Sequence, residues 1–214
     1  MGMPHGTITT DDLLGWLRAL ADAVHEQAGH LTELDAAIGD ADHGSNLDRG
    51  FKAAVAAVGE MTDTPPGKVL GKVGMTLVGS IGGASGPLYG TFFLRCGTSL
   101  GETPEVDAAG WGAALRAGVE GVLARGKAER GDKTMYDAWA PALEAYDADL
   151  AGGGDLSSAL AAAAAAAAQG RDATVELVAR KGRASYLGER SAGHADPGAT
   201  STALLLQCAA DTLG

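Results

Sequence analysis

Thr10-Asp-Asp-Leu-Leu-Gly-Trp-Leu-Arg-Ala-Leu-Ala-Asp-Ala-Val24 sets Leu13, Leu17, Leu20 and Val24 three or four residues apart, the spacing of a helix with one apolar face. The same rule recurs along the chain: Leu47, Phe51, Ala54, Val55 and Val58; Trp111, Leu115, Val119 and Val122; Trp139, Leu143, Tyr146 and Leu150. Further helices are expected near 70–77, 92–95, 156–169, 174–181 and 199–213, and no stretch alternates as a half-buried strand would. Seven to nine helices without strands make an all-α chain, most simply an antiparallel bundle or helical barrel. No composition break divides it, so residues 1–214 read as one domain. Helix starts are marked by Thr10 before Asp11 and Asp12, by Thr134 with Asp137 as a capping box, by Asp155, and by Asp196-Pro197.

Between the first two helices lies Asp35-Ala-Ala-Ile-Gly-Asp40-Ala-Asp42-His43-Gly-Ser-Asn46, with three carboxylates in eight residues. If they converge in the fold, like charges this close need a cation between them or must hold protons. Carboxylates without thiolates suit a hard ion, Mg²⁺ or Ca²⁺; turn and capping residues in a solvated loop are the bland alternative. An EF-hand counted from Asp40 fails, because Ser45 stands where the turn needs Gly and Phe51 where a bidentate Glu is needed. Mg²⁺ usually completes its shell with waters and phosphate oxygens, so the cluster points to a nucleotide.

A formal net charge of -11 argues against nucleic acid or an anionic membrane as partner. A nucleotide stays compatible only if divalent ions mediate. Cys96 and Cys208 stand far apart, no secretory signal or membrane-length apolar run is present, and the Ala-rich tract around 161–168 reads as a soluble helix that lets neighbours approach closely. The expected location is the cytoplasm.

Three further segments are candidates. Gly79-Ser-Ile-Gly-Gly-Ala84-Ser85-Gly86-Pro87 could bring backbone amides to an anion, or could serve only as a helix–helix turn. Gly121 to Lys127 imitates a Walker A loop, but Ala128 replaces the hydroxyl and no strand precedes it; Arg125, Lys127, Arg130 and Lys133 read by default as a solvated basic loop. A second basic loop, Arg180 to Gly198, ends at a helix start that could face an anion. His5, His25, His30, His43 and His194 form no i, i+4 metal pair.

Together, Gly39-Asp-Ala-Asp-His-Gly44 with Asn46, Gly82 to Phe93, Gly131-Asp-Lys-Thr-Met135-Tyr-Asp-Ala-Trp139, and Lys181-Gly-Arg183 through Asp196-Pro-Gly198 resemble the nucleotide-binding L subunits of dihydroxyacetone kinases, in the family's order over nearly the whole chain. The resemblance implies an eight-helix antiparallel barrel with a nucleotide at one end, ADP or ATP, held through Mg²⁺, two ions in the family, by Asp35, Asp40 and Asp42. It further implies that His43, Gly44, Ser45 and Asn46 contact phosphate or ribose and that Ala84 and Ser85 belong to the phosphate loop. Gly126 and Met135 would line the adenine pocket, and Arg183 with Asp196, Pro197 and Gly198 would close the site, Arg183 also stabilising the transferred charge. Ser45 and Leu47 stand where the motif has Ala and Met.

The implied reaction is phosphoryl transfer to dihydroxyacetone held covalently on a separate K subunit. In one branch of the family ADP stays bound and is rephosphorylated by a phosphohistidine on a phosphotransferase-system M subunit; in the other, ATP exchanges. A free-standing length from Met1 fits the first branch, with K and M subunits as partners and room for a homodimer. An ATP-dependent kinase for dihydroxyacetone or another small ketose or sugar is the alternative. An acidic helical bundle that only binds a divalent ion, and the nucleotide domain of bacterial fatty-acid kinases, are further rivals.

Overall fold

A computed structural model describes residues 6–214; His5 lies outside them. Eight α-helices run through the described residues: α1 (Thr10–Ile38), α2 (His43–Val58), α3 (Pro66–Ser80), α4 (Ser85–Leu100), α5 (Ala108–Gly126), α6 (Tyr136–Ala151), α7 (Leu156–Ala173) and α8 (Pro197–Leu213). Each helix packs on the next, and α8 returns to α1, which closes the ring expected for an all-α barrel. Two short strands, β1 (Thr7–Ile8) and β2 (Val106–Asp107), pair antiparallel beside the starts of α1 and α5. The apolar stripes face inward, and the interior is filled by Trp16, Trp111, Trp139, Tyr89, Phe51, Phe92 and Phe93. Trp16 meets Trp111 edge-on at 5.6 Å between centroids, and Phe92 lies 4.7 Å from Trp139.

The helix starts follow the chain's capping signals with two shifts. The first cap is Thr9, not Thr10: Thr9 and Asp12 satisfy each other's amides, while the Thr10 hydroxyl is already committed to the Thr64 carbonyl at 2.7 Å. Asp137 does accept the Thr134 amide at 2.8 Å, but the Thr134 hydroxyl takes the Tyr136 amide, so the expected box is incomplete and α6 begins at Tyr136. Asp155 and Asp196 cap α7 and α8 as the sequence indicates.

The helix expected over 174–181 does not form. Only a single 3₁₀ turn, Thr174–Glu176, follows α7, and a 3₁₀ segment, Arg183–Ser191, comes later. The chain becomes extended at Leu177, ψ 146°, and the carbonyls of Thr174 and Leu177 both accept from the ammonium of Lys133.

Helices α3 and α4 approach through glycine. A Cβ on Gly97 would collide with the carbonyl of Gly67 and lie 2.7 Å from the amide of Gly71, whereas one on Gly71 would meet nothing. Gly97→Ala should therefore cost about 1–3 kcal/mol, because backbone cannot move aside as a side chain can. Gly71→Ala in the same pair of helices should gain up to about 1 kcal/mol. Denaturant midpoints read both, and a Gly97→Ala protein as stable as its parent would contradict the close packing.

Candidate functional site

Helix direction alternates around the ring, so four loops gather at one end: α1–α2, α3–α4, α5–α6 and α7–α8. They enclose a cavity of about 960 Å³, a size suited to a nucleotide. The N-termini of α2, α4, α6 and α8 all point to it, and each contributes partial positive charge. The two ends of the barrel are capped differently. At the far end Thr9, Asp107 and Asp155 cap α1, α5 and α7 with their own side chains, and α3 opens on Pro65-Pro66. At the cavity end Asp196 caps α8 in the same way, but Asp42, Ala84 and Met135 make no such bond. At the start of α4 this leaves the amides around Ser85 and Gly86 for an incoming anion.

Asp35 sits in the last turn of α1, buried, and its Oδ2 accepts the amides of Asp42 at 2.8 Å and His43 at 3.1 Å. Gly39 is required beside it, because a Cβ there would overlap the Asp35 carboxylate. Ala41 reverses the chain between Asp40 and Asp42 in the left-handed region, φ 61°, a strain of about 1–2 kcal/mol for an L-residue. One carboxylate oxygen from each of Asp35, Asp40 and Asp42 then lies within 4.8 Å of the others. An all-oxygen donor set of this kind fits a hard divalent cation.

The only ion pair of this trio, among the described residues, comes from the α7–α8 connection: Arg183 Nε lies 2.9 Å from Asp40 Oδ2. The loop that carries Arg183 is fastened to the end of α1 by a small apolar cluster of Ile38, Ala179, Ala184 and Leu187.

His43 is buried and lines the cavity. Its Nδ1 meets the Ser85 hydroxyl at 3.1 Å and its Nε2 the Ser201 hydroxyl at 2.9 Å, and Tyr89 reaches the same Ser201 oxygen at 2.7 Å. Burial holds the imidazole below its ordinary pKa, opposed by Asp35 and Asp42, so it is a neutral ring with one donor and one acceptor nitrogen. It joins the starts of α2, α4 and α8.

Ala84, Ser85, Gly126, Met135, Arg183, Asp196, Pro197 and Gly198 all line the cavity, as do the three aspartates. Gly44, Ser45 and Asn46 do not. Gly44 packs on the backbone of α1 at Ala28, the Ser45 hydroxyl donates to the Asp42 carbonyl, and Asn46 lies under the Gly82 turn and accepts from Arg49. Within the first turn of α2 the helical rotation sets Gly44 against α1, Ser45 towards solvent and Asn46 against the α3–α4 loop, leaving His43 on the cavity. The segment imitating a Walker A loop is the end of α5, helical to Gly126.

Lys133 is not in a solvated loop. It is 1% exposed, with φ 63°, and its ammonium donates to the carbonyls of Thr174 (2.8 Å), Leu177 (3.0 Å) and His194 (2.6 Å). Burial lowers its pKa while Asp196 and Glu176 raise it. Asp196, also buried, accepts the Ala199 amide at 2.7 Å, and its carboxyl is pushed up to about 7 chiefly by desolvation. Lys133, Arg180, Lys181 and Tyr186 line the cavity too and were not singled out as site residues by the sequence. The Lys-Thr-Met run and the basic loop were the available signals.

A ring of helices with a carboxylate trio and convergent helix starts at one mouth defines a nucleotide- or phosphate-handling class of α-barrel. Residues 37–211 match the model of the DAK2 domain, and the chain belongs to that family. It is 42% identical over 201 residues to the PEP-dependent dihydroxyacetone kinase, ADP-binding subunit DhaL, of Escherichia coli (strain K12), covering 94% of this chain and 96% of that one. It is equally 42% identical over 206 residues to the PEP-dependent dihydroxyacetone kinase 1, ADP-binding subunit DhaL, of Listeria innocua, covering 96% and 98%. The crystal structure of the dihydroxyacetone kinase from C. freundii in complex with AMP-PNP and Mg²⁺ superposes with a TM-score of 0.72 at 26% identity. That match covers 99% of this chain and 36% of the kinase chain.

A cation held by Asp40 would have to displace Arg183, so Arg183→Gln should bind free Mg²⁺ more tightly than the parent. The pair is largely exposed, so the gain should be modest, about 0.2–1 kcal/mol or up to about fivefold in affinity. Calorimetric titration without nucleotide measures it, and unchanged or weaker Mg²⁺ binding would contradict the competition.

Proposed function

We propose that the protein is the nucleotide-carrying subunit of a dihydroxyacetone kinase. It holds ADP or ATP with Mg²⁺ and carries a phosphoryl group from a phosphohistidine on a separate phosphotransferase-system M subunit to dihydroxyacetone on a separate K subunit. The observation that carries the reading is the convergence of Asp35, Asp40 and Asp42 at a cavity ringed by four helix N-termini. Kinship over nearly full length with subunits named ADP-binding and PEP-dependent supports the same reading.

Asp35, Asp40 and Asp42 would hold the Mg²⁺, two ions in this reading, and bound Mg²⁺ would neutralise the phosphate oxygens. Asp35 orients the turn through the Asp42 and His43 amides, so the carboxylates are set before a cation arrives. The amides at the start of α4, beside Ala84 and Ser85, would take phosphate oxygens, and His43 would hold Ser85 towards them. Gly126 and Met135 would border the base, where Gly126 leaves open space with only Leu88 at 3.5 Å from a would-be Cβ. Arg183, once released from Asp40, is the one of the proposed site residues whose charge can follow the transferred group.

Two partners must reach this mouth in turn, and its rim suits docking. Arg125, Lys127, Arg180 and Lys181 are exposed around it, and Tyr186 stands 87% exposed beside them, in a chain whose net charge is -11. Such a local reversal of sign steers an acidic surface to one end of the barrel.

The test is denaturing extraction of the purified protein with mass detection of released nucleotide, beside a sample dialysed against EDTA. ADP near one equivalent, lost on chelation and converted to bound ATP by a phosphohistidine donor subunit, is the expected result. Protein that carries no nucleotide and binds none in Mg²⁺ would contradict the assignment.

A further inference from the structure

Lys133 buries a positive charge without spending it on a carboxylate. An ammonium has three protons, and all three go to main-chain carbonyls, of Thr174, Leu177 and His194. These come from the two ends of the long α7–α8 connection, while Lys133 itself belongs to the α5–α6 loop. Neighbouring bonds reinforce the junction: the Asp132 carbonyl accepts the Arg180 amide at 3.0 Å, the Thr174 hydroxyl accepts the Asp196 amide at 2.9 Å, and Val175 accepts the Gly193 amide at 2.7 Å.

The backbone of Lys133 is held in the left-handed region, a conformation that persists in a non-glycine residue only where its surroundings over-determine it. Two residues on is Met135, in close contact with Gly198: a Cβ on Gly198 would lie 3.4 Å from the Met135 Cβ and amide. The same ammonium therefore fixes both walls of one part of the cavity, Met135 on one side and the Asp196-Pro197-Gly198 turn on the other. The acid cluster and the start of α4 lie on other loops and share none of these bonds; the α7–α8 connection meets the cluster through the exposed Arg183–Asp40 pair and the packing of Ala179 and Ala184 on Ile38.

We infer that Lys133 is a positioning residue for the nucleoside half of the ligand: it clamps the α5–α6 loop to the α7–α8 connection, so the wall that meets the base is preformed, while the carboxylates and the phosphate loop are carried by the α1–α2 and α3–α4 loops. This rests on the nucleotide reading above. A preformed wall lowers the ordering cost of binding, so the clamp should show itself as affinity for the whole nucleotide over its diphosphate.

The experiment compares Mg²⁺-dependent binding of ADP and of inorganic diphosphate by calorimetry in the parent and in Lys133→Met, with hydrogen exchange on both. Methionine keeps the length and removes the three donors. The expected result is an ADP affinity at least tenfold lower with diphosphate affinity within twofold, and faster exchange confined to residues 174–198. A purely structural role would weaken both ligands alike and loosen all helices, and that outcome overturns the inference, as does unchanged ADP binding. Should Lys133→Met fail to fold, Thr174→Val, which removes the acceptor of the Asp196 amide, should give the same ADP-selective loss in smaller degree; equal loss for both ligands there overturns it. Parent protein that binds neither ligand overturns the nucleotide reading itself, and the inference with it. Parent protein that binds ADP while the variant binds it equally well overturns the inference alone.

Discussion

Asp35 belongs to the last turn of α1, yet its carboxylate accepts the first amides of α2, so closing the first helical hairpin and assembling the acid cluster are one event. The arrangement is tense in isolation. Asp40 and Asp42 bring their oxygens within 4.8 Å of Asp35, across a left-handed Ala41, and like charges at that range oppose one another. Arg183, on the α7–α8 connection, relieves part of the repulsion by pairing with Asp40. A divalent cation would relieve it more fully and set the arginine free. Charge balance thus links the cation site to the loop between α7 and α8.

The rest of the barrel is organised to leave this end receptive. Caps that would satisfy helix starts with the chain's own side chains are concentrated at the far end, on Thr9, Asp107 and Asp155. At the cavity end Asp196 caps α8, Asp35 of α1 takes the first amide of α2 and the Thr134 hydroxyl the first of α6, so α4, opening at Ala84, is the start left without a side-chain partner. The interior far from the mouth is aromatic and tightly packed, and α3 and α4 meet through glycine. A rigid ring with four helix starts at one end, that of α4 uncapped, is a scaffold for anion binding, and the net negative charge elsewhere confines anionic ligands to that mouth.

The helices were legible because their apolar residues recur with the helical period, and the acid cluster because three carboxylates in eight residues are hard to explain without convergence. What stayed hidden depends on contacts between distant residues. Periodicity over 174–181 suggests a helix, but the chain turns extended at Leu177, where Lys133, forty-one positions before Thr174, binds the carbonyls of Thr174 and Leu177. Lys133 itself reads as a solvated cation because sequence gives no sign that three carbonyls will surround it. The hydroxyl chain from Tyr89 through Ser201 to His43 joins three helices and has no local signature. Asn46 shows the converse: adjacent to the acid cluster in sequence, it is turned under the Gly82 loop by the rotation of α2.

The claim on which the account stands is that the three aspartates bind a nucleotide through a divalent cation. Asp40→Asn tests it most directly, since it removes one charge of the trio and keeps size and hydrogen-bonding shape. ADP titrations with and without Mg²⁺ should show tight, Mg²⁺-dependent binding for the parent and loss of that dependence for the variant, with helical circular dichroism unchanged. Parental affinity and parental Mg²⁺ dependence in Asp40→Asn would contradict the account.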